Sequence, residues 1–140
     1  MLKDTIKYLL TIVLLSPFLG YAQQVRFVQN LGQWQNNVLY KAEIPGGDLY
    51  ITNKGLVYNL IDEQAIHEQH HHKSDKDIII KAHAIFIDFA GANLNYTHNG
   101  FNEFVTRYNY YIGDDKTKWA EGAKAFQKVI LQNIYPHIDF

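Results

Sequence analysis

The chain has 140 residues, of which 47% are hydrophobic and 14% aromatic, and its 13 basic and 14 acidic residues leave a formal net charge of −1. That length bounds it to one ordinary domain plus a targeting segment, and the apolar content excludes general disorder. The charge balance offers no basic stripe for nucleic acid, and the lack of cysteine excludes disulfides, thiolate metal sites, a cysteine nucleophile and a lipidated N-terminus.

Residues 1–24 read as an address. Lys3 and Lys7 precede an apolar stretch over residues 8–15 that continues to Leu19 across the break at Ser16-Pro17. Gly20-Tyr21-Ala22 then supplies small residues for cleavage. This is the layout of a secretory signal peptide, with residues 1–22 removed after Ala22 and residues 23–140 left as the exported module. The stretch is too short and interrupted for a membrane span of about 20 residues, so none is expected after cleavage.

The exported part predicts a series of strands. Residues 25–29 form a short first strand, and residues 30–37 a turn carrying Trp34. Residues 38–44 alternate, with Val38, Tyr40, Ala42 and Ile44 on a buried side and Lys41 and Glu43 on a wet one. Pro45-Gly46-Gly47 ends that strand. Residues 48–52 and 56–61 flank Asn53-Lys54-Gly55 as a hairpin, glycine taking the left-handed position of a three-residue loop. Residues 62–77 are polar and charge-mixed, as an exposed loop would be.

Residues 78–89 are the longest run of β-formers in the exported part. Ile78, Ile80 and Phe86 alternate with Ile79, Ile85, Ile87 and Phe89, a pattern that predicts a central strand covered on both sides. A turn at residues 90–93 and an ambiguous edge strand or loop over 94–100 follow. Residues 104–112 form a tyrosine-rich strand and residues 114–123 a short helix capped by Asp114 or Asp115. Residues 125–135 return to strand until Pro136, and residues 137–140 begin another. Ending on unpaired apolar residues predicts that the parent protein continues. The expected fold is mainly β, an antiparallel β-sandwich-like domain with one short helix, truncated at its C-terminus.

The histidines His67, His70, His71 and His72 are the most conspicuous candidate site. Neutral imidazoles bind zinc, copper or nickel. His67-Glu68-x-x-His71 also satisfies the spacing in which two histidines hold zinc and a glutamate activates water. A buried catalytic helix would need apolar flanks, however, and the tract is polar throughout, which favours a solvated loop. Lys81 and His83 share a strand face, with Asp88 on the other. Asp75, Asp77, Asp114 and Asp115 lack the remaining positions of a calcium loop. Asn95-Tyr96-Thr97 is a formal glycosylation sequon. The tyrosines and Trp34 fit a carbohydrate-binding face or, more commonly, cross-strand pairs. No residue is assigned a catalytic, cofactor-binding or metal-ligating role.

Three segments carry a resemblance. They are Phe27-Val28-Gln29-Asn30-Leu31-Gly32-Gln33-Trp34 with Val38-Leu39-Tyr40-Lys41-Ala42, then Ile44-Pro45-Gly46-Gly47 through Gly55-Leu56-Val57-Tyr58-Asn59, and Asn109-Tyr110-Tyr111-Ile112-Gly113 through Trp119 to Asn133-Ile134-Tyr135-Pro136-His137-Ile138-Asp139. Together they resemble the N-terminal region of large secreted surface proteins of the Bacteroidota, commonly described as gliding-motility-associated or type IX secretion cargo. Those proteins continue into β-propeller-type repeats, PKD or other immunoglobulin-like modules and a C-terminal sorting domain. The resemblance implies a non-catalytic, structural, adhesive or assembly module at the cell surface. Its partners would be other modules of the same parent chain, surface proteins or glycans. His137 and the tract at residues 67–72 depart from the family pattern. The alternatives are a metal- or ligand-binding module using residues 67–72 and part of a secreted hydrolase.

Overall fold

The structure, a computed structural model, describes residues 24–62 and 80–140. Among them, seven strands build one antiparallel sheet: β1 (Phe27–Gln29), β2 (Val38–Ile44), β3 (Gly47–Thr52), β4 (Gly55–Ile61), β5 (Ala82–Asp88), β6 (Thr97–Tyr110) and β7 (Ala120–Gln132). Their order across the sheet is β5-β4-β3-β2-β1-β7-β6. The protein is mainly β, as expected. None of its described helices is long and apolar enough to cross a membrane.

β2 follows its alternation from Tyr40 onward, with Tyr40 and Ala42 buried and Glu43 exposed. The register shifts between Val38 and Tyr40, so Val38 is buried opposite Thr52 on the other face, and Ile44 is half-buried. Pro45-Gly46 turns it into β3. The β3–β4 connection is tighter than the expected three-residue loop, because Gly55 already belongs to β4. The Thr52 hydroxyl closes this turn, accepting from the Gly55 N–H at 3.1 Å and donating to the Gly55 carbonyl at 3.0 Å.

Opposite residues of antiparallel neighbours share a face, so the register divides the side chains of the sheet. Ile87, Leu56, Ile51 and Tyr40 form a row on the first face. Phe86, Val57, Tyr50, Lys41, Val28 and Ala125 form a row on the second. The sheet curls in a sandwich-like manner over the first face. There Tyr40, Ile51, Phe126, Leu131 and Ile134 make the main core, with Tyr96 and Leu56 packed against it. The Tyr40 hydroxyl and His98 Nδ1 lie 3.2 Å apart although two strands separate β2 from β6, and Tyr96 donates to the Thr52 carbonyl at 3.1 Å. A smaller core of Val28, Ala123 and Ala125 sits on the second face under Trp34, Phe104, Tyr108 and Tyr110.

Three expectations are corrected. The run at residues 78–89 supplies β5, which lies at the edge of the sheet with every residue exposed. Apolar residues on both faces mark a strand but do not reveal whether a neighbour is present on each side. The expected helix over residues 114–123 is a single 3₁₀ turn, Lys116–Lys118. Asp115 caps it, accepting from the Thr117 N–H at 3.0 Å, but Trp119 is already extended and Ala120 opens β7. Residues 137–140 fold back instead of starting a regular strand. Tyr135 bridges to Ile138, and Leu131 and Phe140 exchange backbone hydrogen bonds of 2.8 and 3.0 Å. The ambiguous stretch before residue 100 resolves into turn residues followed by the first residues of β6, an edge strand.

Candidate functional site

The second face carries the described residues best arranged for binding. Trp34 reaches it from the β1–β2 loop, which Asn30 organises from both ends of its side chain. Asn30 Oδ1 accepts from the N–H groups of Gly32 and Trp34 at 3.0 and 3.2 Å. Its Nδ2 donates to the carbonyls of Gln35 and Val38 at 3.0 and 2.8 Å. An Asx-type clamp of this kind fixes a loop that has no ladder of its own. Trp34 then meets Tyr110 edge-on, with ring centroids 5.3 Å apart at 68°.

Charges are interleaved with these rings. Lys41 Nζ sits 3.0 Å from Asp48 Oδ1, with its ammonium 5.7 Å from the Tyr50 ring centroid and 6.0 Å from that of Trp34. Arg26 donates to the Tyr108 hydroxyl at 3.1 Å while its guanidinium stands 4.9 Å from the Phe104 ring centroid. The residues lie close enough for cation–π attraction. Burial pushes the Tyr50 phenol up, and Lys41 offsets part of that. Burial also pushes Tyr110 up, with the Glu43 carboxylate adding to it. Both phenols therefore stay protonated near neutral pH and remain available as donors.

The surface over these groups is hollow. A cavity of about 330 Å³ is lined by Arg26, Lys41, Glu43, Tyr108 and Tyr110. A second hollow of about 860 Å³ lies between the loop residues Trp34 and Asn36 and the side chains of Tyr50 and Lys118. A third, about 520 Å³, runs from Tyr50 over Val57 and Asn59 to Phe86. Tyr50 lines the last two, and Lys41 of the first approaches its ring, so the three hollows lie beside one another across the second face, from β5 to β6. Rings provide flat apolar contact, and the amides, phenols and paired charges provide directional hydrogen bonds. Such a surface can hold a chain of alternating apolar faces and hydroxyl or amide edges.

The other candidate positions lie elsewhere. His67, His70, His71, His72, Glu68, Asp75 and Asp77 fall outside the described residues. His83 pairs with Leu60 and Asp88 with Gly55 on opposite faces, so strand geometry separates them. Asp115 is a cap, its carboxyl held below the usual range by the Thr117 hydroxyl. Among the described residues, no three of His, Asp and Glu gather as metal ligands. The sequence points to Trp34 and the tyrosines of β6 but not to Arg26, Lys41, Glu43 and Asp48 as their companions. The wet alternation of Lys41 and Glu43 was the available signal, and it identified a face without identifying what lies across from it.

No curated protein and no solved structure matches the chain. The model of a family described as a domain of unknown function, DUF7948, matches residues 27–140, covering every strand of the sheet and the lining of the three hollows apart from Gln24 and Arg26. The chain belongs to the DUF7948 family.

Proposed function

We propose that the domain is a non-catalytic binding module of an exported cell-surface protein, serving adhesion or assembly by holding a glycan chain across its second face. The observation that carries this reading is the make-up of that face. Trp34, Tyr50, Tyr108 and Tyr110 stand among Lys41, Asp48, Glu43 and Arg26 in and between neighbouring hollows of the second face. Sugar rings have apolar C–H faces that stack on aromatics and hydroxyl edges that bond to charged and amide groups. The signal-peptide layout of residues 1–22 and the resemblance to secreted surface proteins of the Bacteroidota support export. They also support the module's position at the front of a longer parent protein.

Glycan-array screening of the purified chain, followed by calorimetry on the strongest ligand, tests the binding role. Trp34→Ala and Tyr50→Ala are each expected to weaken affinity up to about tenfold, since a stacking contact is worth about 0.5–1.5 kcal/mol beyond area burial. Val105→Ala, on the exposed β6 edge, should leave affinity unchanged. Binding that ignores both aromatic substitutions, or an array without a hit, would sink the proposal.

A further inference from the structure

The two edges of the sheet are built differently. At the β6 edge, pairing with β7 is interrupted between Glu103 and Arg107, and Asn102 takes φ of 54°. Arg107 folds back on the interruption, its Nη1 donating to the carbonyls of Phe104 at 2.9 Å and Val105 at 3.3 Å. Glu103 accepts from Arg107 and pairs with Lys124 at 3.1 Å. Irregularity and charge are the ordinary protections of an edge. β5 has neither. It reads A-H-A-I-F-I-D, without proline and with no charge before Asp88, and its ladder to β4 runs unbroken from Ala82 to Asp88.

Hydrogen-bond direction along β5 follows from its two ends. The Asp62 N–H donates to the Lys81 carbonyl, and the Phe89 N–H donates to the Lys54 carbonyl. Odd-numbered residues therefore turn their backbone groups toward β4. Ala82, Ala84, Phe86 and Asp88 turn theirs outward, where no described strand meets them. Any strand added here would need apolar side chains on both faces. Its row on the second face would continue Phe86, which is 71% exposed, and its row on the first face would continue Ile85 and Ile87. The connection over residues 63–79 is polar from His67 to Asp77, with Ala65-Ile66 and Ile78-Ile79 as short apolar pairs at its two ends. β5 itself has the required pattern.

We propose that β5 pairs antiparallel with β5 of a second copy, about a two-fold axis through Ile85. This register pairs every residue of the strand. Ala84 lies opposite Phe86 of the other copy, small against large, and Ala82 lies opposite Asp88, so no like charges meet. The outward groups of Ala82, Ala84, Phe86 and Asp88 all find partners. An axis through Ala84 or Phe86 would leave residues of β5 unpaired. The contact is isologous and uses both open edges at once. The joined sheet ends on two protected β6 edges, so assembly stops at the dimer.

The chain has no cysteine, which permits a direct test. Residue 85 meets its own copy as a non-hydrogen-bonded pair with Cα atoms about 4.5 Å apart, within disulfide reach. Under mild oxidation, Ile85→Cys should crosslink to a covalent dimer, and Phe86→Cys should not, although Phe86 is the more exposed residue. Light scattering on the unmodified chain should give twice the monomer mass. Ala84→Pro removes an outward N–H without breaking the β4 ladder, so it should give a monomer with a native circular dichroism spectrum. Should that variant fail to fold, the cysteine pair still decides. A monomer at every concentration, particles that grow without limit, or equal crosslinking at residues 85 and 86 overturns the proposal.

Discussion

At Gly47 the backbone holds φ at 150°, and a Cβ there would stand 1.9 Å from the Asn59 carbonyl oxygen on β4. The obstacle is main chain, so it can yield only if the β3–β4 ladder opens. Gly100 is crowded differently. A Cβ would come within 2.3 Å of the Phe126 ring, a side chain that can turn aside at the expense of core packing. Gly47→Ala should therefore cost about 3 kcal/mol and Gly100→Ala about half that. Urea titrations of the two variants check the order. The Pro45-Gly46-Gly47 turn was readable from composition alone, since proline fixes φ and glycine accepts what other residues refuse. The ring over Gly100 was not, because nothing in the neighbourhood of residue 100 names residue 126.

Among the elements, β2 was legible from Tyr40 to Glu43, where alternation records burial directly, but not at the irregularity before Tyr40 that turns Val38 to the other face. β5 was legible as a strand but not as an edge. The 3₁₀ turn was legible only at its cap, since Asp115 has the same local chemistry whether one turn follows or three. The hollows were legible in their rings, while the charges among them depend on register across four strands. β6 carries a prediction of its own. The hydrogen bond from Lys124 holds the Glu103 carboxyl below its usual range, with the charge of Arg107 assisting. A carboxyl with a lowered pKa contributes fully above the ordinary glutamate range and loses that contribution as pH falls through the lowered value. Arg107→Ala should expose the β6 carbonyls and raise light scattering on heating, with little change in the unfolding midpoint. Acidifying the unmodified chain through that lowered value should reproduce part of that rise. Scattering unchanged in both cases would remove Arg107 from its protective role.

The whole molecule has cores on both faces of a single sheet, and the shared strands β1 and β7 join them. Leu131 is 1% exposed on the first face, whereas Trp34 reports on the second. Leu131→Ala should cost about 2–5 kcal/mol. If the two cores melt together, the fluorescence of Trp34 in a Trp119→Phe background and far-ultraviolet circular dichroism will shift by the same amount. Separate transitions would show that the faces unfold independently. Strand order was the least legible level of all, because β1 has only three residues and its inner neighbour is the last strand of the chain.

That late partnership has a consequence for how the protein is made. Phe27 must wait for Phe126 to leave the ribosome before β1 gains its second neighbour, and pairings so distant along the chain form slowly. Until then β1 has only β2 beside it, and the sheet formed by β1 to β5 lacks the two strands that complete its main core.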